Sequence, residues 1–257
     1  MRVITNEGFV SRRARIGKIG TMGGMLALLA GFITSLNFEL IVLSYAFLII
    51  GLFAFNIGRY NALRWGQRPR PYEVIAEALK GLDHKYVLVN YSQTLPGENI
   101  LISPLGVFFI EVRVQEGEIQ CEGSKWHRKR SVVTFMRSLT EGALGNPTKD
   151  AVAGLQALRK FVVDRLGEEA GESVPLEAVI VFTTARAHVS ASEPLVPVLP
   201  PNELKAHVRT PRGRTKMTSD TYKKLLDQFA VPRYGITASR PDLGSPVLPS
   251  SSGRGRG

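Results

Sequence analysis

Residues 98–113 read ENILISPLGVFFIEVR, and the order of residue types in this stretch predicts a β-hairpin. Apolar and β-branched residues crowd both sides of the Ser-Pro-Leu-Gly sequence at 103–106, which indicates a turn between two strands. Charged side chains are unusual in such apolar strands. Glu98, Glu111 and Arg113 are therefore the first candidates for a chemical site in this chain.

Two loop geometries are compatible with this turn. Side chains alternate along a strand, so Glu111 and Arg113 point to the same face. A two-residue loop at 104–105 also places Glu98 on that face, directly opposite Glu111. A bulged loop shifts the pairing by one residue and turns Glu98 to the other face. The sequence leaves both geometries open, and in the first the two carboxylates repel unless a proton or a cation lies between them.

Two long uncharged stretches, residues 19–38 and 40–58, precede this hairpin and are separated by Glu39. Each has about the length of the roughly 20 residues that cross a bilayer as a helix. We therefore predict a transmembrane helical hairpin with a tight loop at 35–39. A cleavable signal peptide and a pair of buried soluble helices are the alternatives, and the second uncharged stretch argues against the signal peptide.

Basic residues flank both outer ends of the predicted spans, and the connecting loop has none. Because lysine and arginine are retained on the cytoplasmic side, this pattern predicts an inner or plasma membrane protein with both termini cytoplasmic. Neither span contains an acid or a base, so nothing indicates an ion path. Small residues in the first span allow close helix approach or self-association into a homo-oligomer. These are Gly20, Gly23, Gly24 and Gly31.

The formal net charge of +11 is unevenly distributed. Residues 1–70 carry nine Lys or Arg against two acids, residues 71–204 carry thirteen against seventeen, and residues 205–257 carry eleven against three. The central region is therefore mildly acidic, which weakens the case for a broad DNA-binding face. The single cysteine, Cys121, excludes an internal disulfide.

The chain divides into a basic leader at 1–18, the two spans, a basic linker at 59–70, and an α/β domain at 71–204. A basic appendage with a short helix follows at 205–238, and a disordered tail at 239–257. Within 71–204 we predict helices from Pro71 and over 146–166, and strands over 86–91, 118–121 and 178–184 beside the central hairpin. This order predicts a mixed sheet flanked by helices.

A dense basic cluster interrupts the acidic central region. Basic residues around an aromatic ring can hold a phosphate backbone and stack a base, which makes this cluster a candidate nucleic-acid-binding site. A solvated loop with a half-buried tryptophan is the alternative. The cluster consists of Lys125, Trp126, Arg128, Lys129 and Arg130.

Several of these features together resemble the nuclease-related domain (NERD) family over roughly residues 71–184. They are the SPLGVFFIE sequence at 103–111, Glu73, Gly117, Trp126, and the helix that begins at Asn146-Pro147. That family is similar in fold to restriction-endonuclease-like nucleases. In those enzymes an acid and a Glu-x-Lys motif on the next strand bind a divalent metal and cleave phosphodiesters.

The resemblance implies a role for each matching position. Glu98 stands where the family usually has Asp, and Glu111 stands as the strand glutamate, so the pair would bind Mg²⁺ or Mn²⁺. Arg113 stands where Lys is usual, Glu73 stands as the helix acid, and Asp150 stands where Gln is common. An arginine stabilises negative charge but effectively never deprotonates, which departs from any mechanism that needs a lysine as base.

The sequence thus supports two functions of different classes. The first is a membrane-anchored, metal-dependent nuclease in which Glu98, Glu111, Arg113 and Glu73 form the catalytic site. The second is a catalytically degenerate NERD module that binds nucleic acid or a protein partner at the membrane. Neither hypothesis requires an organic cofactor.

Overall fold

The computed structural model describes residues 1–66, 68–129, 143–210 and 216–229. Its strands are β1 (Arg2–Thr5), β2 (Val87–Asn90), β3 (Asn99–Ser103), β4 (Gly106–Arg113), β5 (Gly117–Glu122), β6 (Lys125–Arg128), β7 (Leu176–Phe182), β8 (Ala187–Ser192) and β9 (Val198–Leu199). Its helices are α1 (Glu7–Thr34), α2 (Ile41–Asn61), α3 (Pro71–Ala78), α4 (Pro147–Leu166), α5 (Glu168–Glu172), α6 (Pro201–Arg209) and α7 (Ser219–Phe229). The predicted tail at 239–257 and Arg130 lie outside these residues.

A mixed six-stranded sheet with the order β1-β2-β3-β4-β7-β9 organises the domain. Strand β3 is antiparallel to β2 and β4, whereas the β1–β2, β4–β7 and β7–β9 pairs are parallel. Side chains of α4 and α7 cover one face of the sheet, and side chains of α3 and α6 cover the other. The predicted fold class, a mixed sheet flanked by helices, is confirmed. Strands β6, β5 and β8 form a second, smaller sheet.

The two N-terminal helices form an antiparallel hairpin that glycines hold at very short range. A Cβ added to Gly24 of α1 would lie 2.3 Å from the backbone nitrogen of Phe55, and one added to Gly58 of α2 would lie 2.1 Å from that of Thr21. A Cβ added to Gly23 meets nothing within 4 Å. Of the predicted glycines, Gly20, Gly24 and Gly31 therefore serve the intramolecular contact, and Gly23 does not.

Both hairpin helices are long and apolar enough to cross a membrane, judged by length and composition. Only 17% and 11% of their most apolar windows are buried inside the chain, so they are not core helices of the described domain. Helix α1 begins at Glu7, twelve residues before the predicted span, because the helix continues through its charged N-terminal turns. It ends at Thr34, and Asn37 accepts a hydrogen bond from the Glu39 N–H in the connecting turn.

Several elements escaped the sequence analysis. The segment 1–18, predicted as a basic leader, begins with β1, which pairs with β2 at the edge of the sheet. Residues 194–209 contain β9 and the amphipathic helix α6, whose Leu204 and Val208 are fully buried, and neither element is among the predicted strands and helices. The KWHR sequence is strand β6 rather than a loop, because it pairs with β5. Each of these elements depends on a partner distant in sequence.

The glycine contacts predict that alanine substitution changes stability very differently at Gly58 and at Gly23. We expect Gly58→Ala to destabilise the chain by about 1–3 kcal/mol, because the added methyl group overlaps backbone that cannot move aside. Gly23→Ala should be neutral or should stabilise by up to about 1 kcal/mol, the helix-propensity gain of alanine over glycine. Thermal unfolding of both variants in the same detergent checks this, and equal effects would contradict the close approach.

Candidate functional site

A cavity of about 730 Å³ opens at the end of β4 and brings the central candidates together. Glu98, Glu111 and Arg113 all line it. Much of the remaining wall comes from the loop after β7, from the end of α2 and from the residues that connect α2 to α3. The three charged residues that stood out in the sequence thus share one concave site.

The register of β3 and β4 explains why the two glutamates meet. Ser103 pairs with Gly106, so the loop consists of two residues, and the same register carried beyond β3 places Glu98 across from Glu111. Gly106 has φ +138°, and a Cβ there would lie 2.5 Å from the Pro175 carbonyl oxygen, so this turn requires glycine. The two-residue loop is therefore the correct geometry, and the bulged alternative is wrong.

Glu111 occupies an environment that disfavours its charge. Its side chain is 20% exposed. Burial raises the pKa of Glu111 to about 7, and Glu98 and Asp150 add to this rise, while Arg113 and Arg64 oppose it. The carboxyl group is thus close to half-protonated at neutral pH, because the positive charge nearby does not fully compensate for burial.

Arg113 links the strand to helix α4. Its Nη2 lies 3.1 Å from Glu111 Oε1 and also contacts the Asp150 carboxylate. Within the described part of the chain, the buried Nε of Arg113 has no hydrogen-bond partner. This guanidinium therefore retains a donor after pairing with two carboxylates.

Asp150 reaches the site because α4 lies directly against β4. A Cβ added to Gly154, one turn after Asp150, would lie 2.1 Å from Phe109 Cζ, so only glycine permits this approach. Phe109 and Glu111 share a face of β4, which brings Asp150 and Arg113 into contact. Sequence reasoning mentioned Asp150 through the family resemblance but did not include it among the site residues.

Comparison with known families identifies this region. The family model of the nuclease-related domain (NERD) matches residues 72–183. These residues form a nuclease-related domain. No curated protein and no solved structure is similar enough to the chain to count as a match.

The NERD domain contains Glu98, Glu111, Arg113 and Asp150, but the cavity also uses residues that precede it. Arg64 Nη2 lies 2.5 Å from Glu98 Oε2, so the carboxylate is held by an arginine from the hairpin side. Sequence reasoning counted Arg64 as a topological flank of the membrane span. No local pattern marks it as a site residue, because its contact with Glu98 spans 34 positions in sequence.

Glu73, the predicted helix acid, lies away from the lining of the cavity. Its side chain accepts a hydrogen bond from the Arg70 N–H at 2.8 Å and so caps the first turn of α3. Arg68 and Arg70 also approach this carboxylate, at 3.7 and 3.9 Å. The geometry gives Glu73 a structural contact rather than a place beside Glu111.

The basic cluster of β6 lies in the smaller sheet, and its aromatic ring is engaged. Trp126 Nε1 donates a hydrogen bond to Thr148 Oγ1 at 2.8 Å, and the indole packs against Phe182. Lys129 pairs with Glu118, and Arg128 donates to the Glu116 carbonyl. The half-buried tryptophan of the alternative interpretation is therefore observed, whereas Lys125 is exposed.

The donor set at the cavity fits a hard divalent cation in its chemistry. Magnesium commonly binds one or two carboxylates and completes its shell with water or substrate oxygens, and Glu98 and Glu111 provide such a pair. Burial is the main cause of the raised pKa of Glu111, and a cation bound beside this carboxylate would favour its charged form. Among the described residues no group of three or more His, Cys, Asp or Glu is arranged to hold a metal. A cation at this place would share the two carboxylates with Arg64 and Arg113, which contact Glu98 Oε2 and Glu111 Oε1.

The pKa of Glu111 predicts how the stability of the folded state changes with pH. The folded chain binds a proton at Glu111 up to about pH 7, whereas the ordinary pKa is 4.5, so stability falls as pH rises through this window. We expect Glu111→Gln to remove this fall, which amounts to about 3 kcal/mol. Thermal unfolding in detergent at pH 4, 6 and 8 measures it.

The exposed Glu77 of α3 provides the matched control. Glu77→Gln should keep the pH dependence of the unmutated chain. The two glutamine variants should have similar melting temperatures at pH 4, where Glu111 is protonated in both the folded and the unfolded state. Identical pH profiles for Glu111→Gln and the unmutated chain would show that Glu111 titrates normally.

Proposed function

We propose that the chain is a membrane-anchored nuclease whose NERD domain hydrolyses phosphodiester bonds of nucleic acid. The observation that carries this proposal is the opposition of Glu98 and Glu111 beside Arg113 in one cavity of a nuclease-related domain. The cavity volume of about 730 Å³ lies in the range of small-molecule sites and suits one or two nucleotides. Glu98 and Glu111 would hold Mg²⁺ or Mn²⁺.

The residues of the chain have separate roles in this proposal. A divalent cation held by two carboxylates supplies an activated water and neutralises phosphate charge. Arg113, whose side chain lines the cavity, stabilises negative charge that develops on the phosphate. Its guanidinium stays protonated, so Arg113 does not serve as the base. Glu73 supports the site by capping α3, and β6 offers Lys125 and its basic neighbours at a distance from the cavity.

The surface of the helical hairpin supports the proposed membrane anchoring. Large apolar side chains of α1 and α2 point away from the chain, including Phe32, Leu52 and Phe53, each more than half exposed. A bilayer is the environment that covers such a surface without an unfavourable contact with water. The basic flanks support the proposal that both termini, and with them the NERD domain, face the cytoplasmic side of the inner or plasma membrane.

A second candidate function is nucleic-acid binding without cleavage. The arginine pairs favour it, because Arg64 and Arg113 neutralise the two carboxylates without a metal. In that case the same cavity holds the phosphate backbone through its arginines, and the carboxylates only orient them. Both candidate functions require binding of nucleic acid, but only the nuclease cleaves it.

Cleavage by the full chain in detergent distinguishes these candidates. With Mn²⁺ and labelled single- and double-stranded DNA and RNA, the nuclease proposal predicts products from the unmutated chain. Glu111→Gln should lower the rate at least about a hundredfold, because loss of a metal ligand removes several kcal/mol of transition-state stabilisation. Glu77→Gln, at an exposed position of α3, should cleave at the same rate as the unmutated chain. No cleavage by the unmutated chain, or cleavage that survives Glu111→Gln, would overturn the proposed nuclease site.

Metal affinity should depend on pH in a defined direction. A cation competes with the proton on Glu111, so Mn²⁺ should bind more tightly as pH rises through about 7. We expect the affinity to rise up to about tenfold per pH unit below this pKa and then to level off. Isothermal titration of Mn²⁺ into the full chain at pH 6, 7 and 8 measures this. A pH-independent affinity would place the cation elsewhere.

A further inference from the structure

The last turn of α2 and the residues that connect it to α3 form one wall of the cavity. We call residues 59–66 and 68–70 the membrane-proximal segment. Arg59, Arg64 and Arg68 of this segment line the cavity, although all three precede the matched NERD residues 72–183. The site is therefore built from the nuclease-related domain and from the helical hairpin together.

An aromatic cluster fixes this segment against the domain. Trp65 is 4% exposed and packs at 4.7 Å between ring centroids against Tyr91, which directly follows β2. Phe9 of α1 contacts both rings, and Arg70 donates a hydrogen bond to the Trp65 carbonyl at 2.9 Å. Because β1 also pairs with β2, the hairpin docks on the domain at two places. The wall is thus a fixed part of the site.

Arg64 holds a central position in this wall. Its Nη1 donates to the Tyr60 hydroxyl at 3.1 Å, and its Nη2 pairs with Glu98 at 2.5 Å. The side chain is 27% exposed, and its guanidinium carbon lies 5.5 Å from the centroid of the Trp65 ring. The Trp65 ring and the Tyr60 hydroxyl orient the guanidinium of Arg64 toward the cavity, where it pairs with the Glu98 carboxylate.

The charge of the lining favours an anion. Within the described residues, Arg59 forms no ion pair, and Arg68 and Arg186 pair only loosely, at 3.7 Å. A guanidinium binds phosphate oxygens in a bidentate manner, which suits it to a phosphodiester backbone. Arginines outnumber acids among the lining residues, which include Arg59, Arg64, Arg68, Arg113 and Arg186 against Glu98, Glu111 and Glu116.

We propose that the membrane-proximal segment is the phosphate-binding wall of the site and that Arg64 exchanges Glu98 for a phosphate of a single-stranded nucleic acid. This inference rests on the proposed function for the class of ligand. A cavity of about 730 Å³ has room for one or two nucleotides, which suits a single strand whose phosphates follow the arginine wall. Tyr60, 40% exposed on the same wall, offers a ring for base stacking. Arg64 is a phosphate-binding residue that releases Glu98 when it pairs with the phosphate.

Binding in EDTA tests this inference separately from cleavage. The full chain in detergent is titrated into a fluorescein-labelled single-stranded dT 12-mer, and anisotropy gives Kd at several salt concentrations. We expect Arg64→Gln to weaken binding about tenfold, the loss of one charged hydrogen-bond contact, and to reduce the salt slope by about 0.7. Arg12→Gln, an exposed arginine on α1, removes the same charge and should leave Kd within about twofold.

A double-mutant cycle then tests the exchange itself. Glu98→Gln should tighten binding several-fold, because it frees Arg64 for the phosphate. In the Arg64→Gln background the same change should have little effect, so the two substitutions should be non-additive. If Glu98 acts merely through its charge, the tightening persists in the double variant, which overturns the exchange.

The remaining outcomes also decide the matter. If Arg64→Gln binds the 12-mer like Arg12→Gln, or if it loses only binding to vesicles of anionic phospholipid, the wall does not bind nucleic acid. If circular dichroism shows that Arg64→Gln does not fold, Arg64→Lys replaces it in the test. Arg64→Lys should keep the salt slope, because it keeps the charge, and should bind more weakly, because it loses the bidentate guanidinium. A chain that binds as expected but never cleaves disproves the nuclease proposal and leaves this inference intact.

Discussion

The opposition of Glu98 and Glu111 across β3 and β4 is the constraint on which the rest of the site depends. It follows from a two-residue turn that requires a glycine at 106, where a side chain would collide with the Pro175 carbonyl. Once the register is set, two carboxylates face each other at the end of a buried strand. Burial, with a smaller contribution from Glu98, raises the pKa of Glu111. An arginine also lies beside each carboxylate and offsets their repulsion.

The two arginines come from different parts of the molecule and serve different purposes. Arg113 belongs to β4 and joins the strand to α4 through Asp150, so it is part of the NERD domain. Arg64 belongs to the membrane-proximal segment and joins the hairpin to the domain. The Arg64–Glu98 ion pair therefore neutralises charge and also connects the hairpin to the candidate site. A tether with no contact to the domain would not supply a wall of the cavity.

Close packing at glycines positions both arginine contacts, Arg64 with Glu98 and Arg113 with Asp150. In the hairpin, Gly24 and Gly58 let two helices touch through their backbones, which fixes the direction in which the segment after α2 leaves. In the domain, Gly154 lets α4 lie on Phe109, which brings Asp150 to Arg113. Interiors packed to this density transmit position accurately from one element to the next. The charged groups at the cavity are placed by apolar contacts some distance away.

The sequence determined the features that depend on local order. Alternation placed Glu111 and Arg113 on one face, uncharged length indicated the hairpin, and the longer helices and the buried strands at 71–184 followed from periodicity. Tertiary structure decided the β3–β4 register, the recruitment of Asp150 and Arg64, and the pairing of β1 with β2. These contacts join residues 37, 34 and 85 positions apart. Their formation depends on packing and loop closure over the whole chain, which no local pattern records.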